Sequence, residues 1–234
     1  METVANAATN AYNNVKAALS TAPPSDQYLA WNAPGVEDVR PNEEETAKEI
    51  GATMNKMQQP NFDKHRHAYR ATHVKTQGIV KGKLTVLPNL PAHLQQGLFK
   101  TPGKSYDVAA RYANEPVFLQ AEQEPGPRGL GLRVFGIKGE RLPNADQKAS
   151  TQDFFFNNAP IIELTNIDTC LEIMQLREKY FDSPLKLSAA TKLRTDAIKQ
   201  TAPSMLPNTN MTSHSFYTQS AFAVVPMGIS GCSQ

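Results

Sequence analysis

Arg70-Ala71-Thr72-His73-Val74-Lys75-Thr76-Gln77-Gly78-Ile79-Val80-Lys81-Gly82-Lys83-Leu84-Thr85-Val86 is the stretch on which the fold turns. From Gly78 onward apolar and polar residues alternate, with lysine on the open side, which is the period of a half-buried strand. The alternation returns at Ser105–Tyr112, Leu130–Phe135 and Gln152–Asn157. Between these runs lie Pro88-Asn89-Leu90-Pro91, Thr101-Pro102-Gly103, Pro125-Gly126-Pro127 and Leu142-Pro143-Asn144-Ala145-Asp146, all turn chemistry. Regularly spaced strands separated by such loops predict an antiparallel sheet or barrel.

Helical patterns flank the strands. Val4–Leu19 is rich in Ala and Asn and weakly helical, and Ala22-Pro23-Pro24-Ser25 breaks it. Asn42 followed by Glu45 reads as a capping box, and Ala47, Ile50, Met54 and Met57 recur at helical spacing, predicting a helix over Glu43–Gln58 that Pro60 ends. Downstream, Ile167, Leu171, Met174 and Tyr180 mark a helix over Ile167–Tyr180, and Ser188–Gln200 a second. Pro203–Asn210 reads as a loop, Ser213–Phe222 as a strand, and Val225–Gln234 as a patternless tail. The order of helix, strands, helix predicts an α+β arrangement. It divides into an N-terminal helical arm (1–60), a β core (61–185) and a C-terminal segment of helix and tail (186–234).

Of the 234 residues 40% are hydrophobic and 20% charged, the profile of a globular chain with a real core. A net charge of +2 with no basic, aromatic-interleaved stripe argues against nucleic-acid binding. Cys170 and Cys232 are too few and too distant for a disulfide framework or a structural zinc site, so a reducing, cytoplasmic setting is expected. Met1-Glu2-Thr3-Val4 lacks the apolar run of a secretory signal, and no run is long enough to span a bilayer. Cys232 stands third from the end, where a prenylation box needs it fourth.

Four local features carry chemical possibilities. His65, His67 and His73 cluster with Arg66, Arg70 and Lys75, which suits either a metal or a solvated basic strand entry. Arg111 interrupts an otherwise apolar strand and needs an anion, either an internal carboxylate or a ligand's acid group. Gly129-Leu130-Gly131 neither follows a strand nor opens a helix, so it is not a dinucleotide fingerprint, and Arg128 caps a tight turn. Phe154-Phe155-Phe156 presents aromatic surface on both faces of a strand beside two amides, Asn157 and Asn158, that require partners if buried.

Taken in order, these segments resemble the catalase superfamily, and more closely its catalase-like haem-binding branch. Arg70-Ala71-Thr72-His73-Val74-Lys75-Thr76-Gln77-Gly78 looks like the family's Arg-x-x-His-Ala-Lys-Gly-x-Gly opening. Leu90-Pro91-x-x-Leu94, Gly97-Leu98-Phe99 and Pro102-Gly103 follow, and Val108–Asn114 resembles the Val-Arg-Phe-Ser-Asn strand. Pro127–Arg133 resembles Pro-Arg-Gly-Phe-Ala-Val-Lys, and Thr151–Pro160 closes the series. The likeness runs from about Arg66 to Phe181, with weaker continuity to Phe222.

The resemblance implies a partial antiparallel β-barrel of catalase type around haem b. His73 is then the acid–base that moves a peroxide's proton, and Asn157 or its neighbour Asn158 the amide that orients the peroxide. Arg70 and Arg111 pair with the haem propionates, with Val74 and Asn158 also against the cofactor. The sequence departs from the family in three places. Ala113 replaces a serine, Ile161-Ile162-Glu163 replaces aromatics, and the chain stops before the proximal Arg-x-x-x-Tyr helix. Arg177-Glu178-Lys179-Tyr180 has the wrong spacing for that helix, so no iron ligand is assigned. Three functions follow as alternatives: a haem enzyme acting on hydrogen peroxide, an organic peroxide or a small organic substrate, as in specialised metabolism; a truncated, inactive relative; or a non-redox ligand-binding barrel. A homo-oligomer is left open.

Overall fold

Glu43, Glu44 and Glu45 open the first helix, α1 (Glu43–His65), where negative charge suits the dipole, and Lys64 and His65 close it. The computed structural model describes residues 38–91, 94–139, 141, 145–206 and 209–218, so the expected helix at Val4–Leu19 and the tail from Val225 lie outside the described residues. The capping box does not form. Asn42 takes a left-handed turn (φ 59°) with no side-chain cap, and the Glu43 carboxylate accepts instead from the Arg40 backbone N–H at 3.0 Å. Nor does Pro60 end the helix, which runs one and a half turns further. Met57 and Asn61, four residues apart on one face, are each 1% exposed, and the Asn61 amide donates to the Val117 carbonyl at 2.7 Å. Those contacts outweigh the one backbone hydrogen bond a proline forfeits. Arg66, left-handed at φ 53°, ends the helix by donating to Phe62 O at 2.7 Å.

Four strands follow: β1 (Lys75–Thr85), β2 (Ser105–Asn114), β3 (Arg128–Phe135) and β4 (Thr151–Asn157). They form an antiparallel meander in sequence order, with one register shift between Thr76 and Gly78. Among the described residues the sheet stays open, with β1 and β4 as its edges, so the barrel expected from the resemblance is met only as this four-stranded sheet. The even-numbered face carries Leu84, Tyr106, Val108, Leu132, Val134 and Phe154, which pack with Val86 and Ile137 into one apolar core.

After the sheet come α2 (Ile167–Lys179), α3 (Pro184–Lys192) and α4 (Ala197–Thr201). Asn166 caps α2 by accepting from Thr169 N–H at 2.9 Å. Met57 of α1, Val117 and Phe181 meet Met174 of α2 in a second apolar core, so α1 packs on α2. The single helix expected over Ser188–Gln200 is broken at residues 193–196, where Arg194 turns back to Asp196 (2.7 Å) and Glu172 (2.9 Å). The strand expected at Ser213–Phe222 reduces, among the described residues, to one bridge between Tyr217 and Asn157.

Candidate functional site

The odd-numbered face of the sheet is where side chains run short. Ala109, Ala113, Gly129 and Gly131 form a low floor across β2 and β3. Ile79 of β1 and Phe155 of β4 stand at either side, 68% and 72% exposed. With the loop Arg70–His73 at one end they enclose a cleft of about 630 Å³, within the range of small-ligand pockets. Arg70, Arg111 and Arg133 all reach its lining. Arg133 is paired with Asp153 (Nε to Oδ1, 2.7 Å).

Arg111 has no such partner. It donates to Thr76 Oγ1 at 2.9 Å and to the His73 carbonyl at 2.6 Å, and no carboxylate among the described residues pairs with it. Burial first and neighbouring Arg70 second hold its guanidinium below the usual value. The anion demanded by an arginine in this strand is thus not an internal one among the described residues.

His73 sits at the closed end of the cleft in the left-handed region (φ 51°), a conformation that costs a non-glycine residue about 1 kcal/mol. Its N–H donates to the Glu115 carbonyl at 2.9 Å while its own carbonyl accepts from Arg111. The imidazole lies against Gly129 so closely that a Cβ there would overlap the ring. Burial lowers its proton affinity; Glu115 opposes this, and Arg111, Arg177 and Arg70 reinforce it. The net shift is downward, so at neutral pH the ring is uncharged and able to accept a proton.

Behind His73 lies a buried ion pair, Glu115 with Arg177 of α2 at 2.6 Å. Burial works to raise the Glu115 carboxyl, but Arg177 and then His73 outweigh it and leave it below the usual carboxylate range. Glu163, 8% exposed, is pushed the other way, up, chiefly by burial. Sequence reasoning missed this pair. The available signal was an arginine at the spacing of the buried face of α2, with Ile173 and Met174.

The other residues singled out by sequence stand apart from the cleft. Val74 is buried (5% exposed) and does not line it. Asn157 is the register partner of Gly129, but its Oδ1 accepts from Asn158 N–H at 2.8 Å. Asn158 Oδ1 accepts from Arg128 N–H at 2.8 Å, while its Nδ2 is buried without a partner. Arg128 spans the preceding turn, donating to Gly126 O (3.1 Å) and Glu124 O (3.2 Å). His65 ends α1 rather than entering a strand, and it and His67 flank Tyr69. Among the described residues no three metal-ligating side chains converge, and no helix is long and apolar enough to cross a membrane.

No protein-family profile matches the chain, and no curated protein matches it in sequence. Among solved structures it is similar to a fungal catalase (15% identity, TM-score 0.37, over 68% of this chain and 28% of that one). It is also similar to a bacterial catalase (15% identity, TM-score 0.33, over 73% of this chain and 32% of that one). The chain thus spans about a third or less of either length, and a likeness this distant carries no weight on chemistry.

Proposed function

We propose that the cleft over His73 holds a flat, acid-bearing ring, haem b, and that the protein is a catalase-like oxidoreductase acting on a peroxide. The observation that carries this reading is the meeting of Arg70 and Arg111, unmatched by carboxylate among the described residues, with an apolar floor of alanine and glycine and an uncharged imidazole. The donor set suits the ligand. Two guanidiniums hold two carboxylates, and the low floor between Ile79 and Phe155 leaves height for a planar ring. Haem, when bound, supplies the redox chemistry. His73, uncharged, would accept a proton from the bound peroxide at a ring nitrogen and give it back. Among the described residues lining the cleft there is no tyrosine or cysteine, so the fit concerns the ring and its acids and not the iron's axial partner.

Titration of the protein with haemin, followed by absorption, tests the reading. A saturable Soret band is expected, with affinity about tenfold weaker in Arg111→Met and peroxide turnover at least about a hundredfold lower in His73→Ala. No band in the wild type would sink it.

A second reading, a non-redox site for an acidic apolar ligand, is favoured by one observation: Asn157 Oδ1 accepts from the Asn158 backbone N–H and Asn158 Oδ1 from the Arg128 backbone N–H, and neither residue lines the cleft. Under it, iron-free protoporphyrin binds as well as haemin and His73→Ala leaves both affinities unchanged.

A further inference from the structure

We infer that Glu115 and Arg177 are positioning residues for His73, a buried ion pair that fixes the carbonyl on which the imidazole-bearing residue is hung and supplies the anion it faces. The inference rests on the reading of His73 as the proton-transfer group.

The geometry begins with the backbone. His73 is held in its left-handed conformation by two hydrogen bonds, its N–H to Glu115 O (2.9 Å) and its carbonyl from Arg111 Nη2 (2.6 Å). Gly129 closes the space on the ring's other side. The position of Glu115 therefore sets the position of His73. Glu115 is itself tied at two points, by its N–H to the Pro127 carbonyl (3.1 Å) and by its carboxylate to Arg177 (2.6 Å). Arg177 belongs to α2, whose Met174 packs on Val117, two residues beyond Glu115. Helix α2 is thereby coupled to the closed end of the cleft through one ion pair.

Charge follows the same path. The groups acting on His73 are Arg111 from β2, Glu115 immediately after that strand, Arg70 from its own loop and Arg177 from α2. Glu115 is the one anion among them, so it alone keeps proton uptake by the ring accessible against three arginines. Behind the pair stand Glu163 and Cys170, which act on Arg177, and Lys199, which acts on Glu163; none of the three acts on His73. A plain staple between sheet and helix would need the ion pair but not this juxtaposition with the imidazole.

The test is the titration of the His73 ring by NMR in protein without added ligand, in wild type, Glu115→Gln and Glu115→Gln/Arg177→Met. Loss of the Glu115 charge is expected to move the His73 midpoint down. The double variant is expected to lie between wild type and Glu115→Gln, because it removes the weaker, opposing influence of Arg177 as well. Glu115→Gln leaves a buried arginine without its partner, and if it does not fold the double variant, with no buried charge left at the pair, carries the comparison alone. A midpoint at or above the wild-type value in the folded variants would overturn the inference. Haemin titration of the wild type reports separately on the underlying reading: a displaced midpoint with no haem band keeps the positioning pair and rejects the cofactor.

Discussion

On the even-numbered face of the sheet Tyr106, Val108, Leu132, Val134 and Phe154 interlock, while the opposite face presents Ala109, Ala113, Gly129 and Gly131 beneath Arg70 and Arg111. Both faces belong to the same four-stranded sheet, and successive side chains alternate between them. One set of positions excludes water and stabilises the sheet. The other leaves about 630 Å³ unfilled and gathers charge around it. A β-sheet with one face used for stability can leave the other free for chemistry, and mutations should separate the two.

The largest separation is expected between two aromatics. Tyr106, 8% exposed and donating to the Leu98 carbonyl at 3.0 Å, should lose about 3–4 kcal/mol of stability on replacement by alanine, read by urea denaturation. Phe155, 72% exposed on the open face, should lose less than about 0.5 kcal/mol. Equal losses would mean that the open face is packed in solution and the contrast between faces is false.

The arginines give the next contrast. Arg177→Met strands the Glu115 carboxylate in a buried position and should cost about 3 kcal/mol. Arg111→Met removes a cation that Arg70 repels and that no carboxylate among the described residues balances, at the loss of its hydrogen bonds to Thr76 and the His73 carbonyl, so the cost should stay below about 1.5 kcal/mol. A large loss at Arg111 would assign it to structure and weaken the ligand reading.

Smaller still is the effect at Gly129. An added Cβ must displace the His73 ring, and Gly129→Ala should cost about 1–2 kcal/mol. His73→Ala should relieve that clash, so the double variant is more stable than the sum of the singles predicts by about 1 kcal/mol. Additive behaviour would show that His73 does not rest on the floor of the cleft.

The strands were legible in the sequence because alternation over seven to eleven residues has few rival explanations: each runs within a few residues of its expected bounds. What the sequence hid was non-local. Pro60 looked like a stop because the burial of Met57 and Asn61 under Val117 lies 56 residues away in sequence. The bond from Arg128 N–H to Asn158 Oδ1 was hidden in the same way, joining residues far apart in sequence, while that from Asn158 N–H to Asn157 Oδ1 is local. The shared cleft of Arg70, His73 and Arg111 was legible as a set of residue types, whereas Glu115 with Arg177 required the packing of α2 against the segment that follows β2.

The smallest expected effect concerns pH and compares a histidine on each side of the sheet. His73, at the cleft, and His214, whose ring neighbours Phe216 beside Tyr112 on the even side, are both held below their ordinary value near 6.5, chiefly by burial. Below that value the unfolded chain binds protons that the folded one refuses, so stability falls as pH drops through 6.5 towards each folded value. Glu163 has the opposite sign. Its folded value is raised, so its contribution is lost as pH climbs from about 4.5 through the folded value, and Glu163→Gln should flatten the curve on that side. Against this background His73 is the more deeply buried histidine and faces three arginines, while His214 feels Arg128 alone. Urea midpoints measured between about pH 5 and 7.5 should therefore slope less in His73→Ala than in His214→Ala, whatever the offset each variant introduces. The reverse order would move the stronger electrostatic strain to the packed side of the sheet and remove the main reason for regarding the cleft as the site.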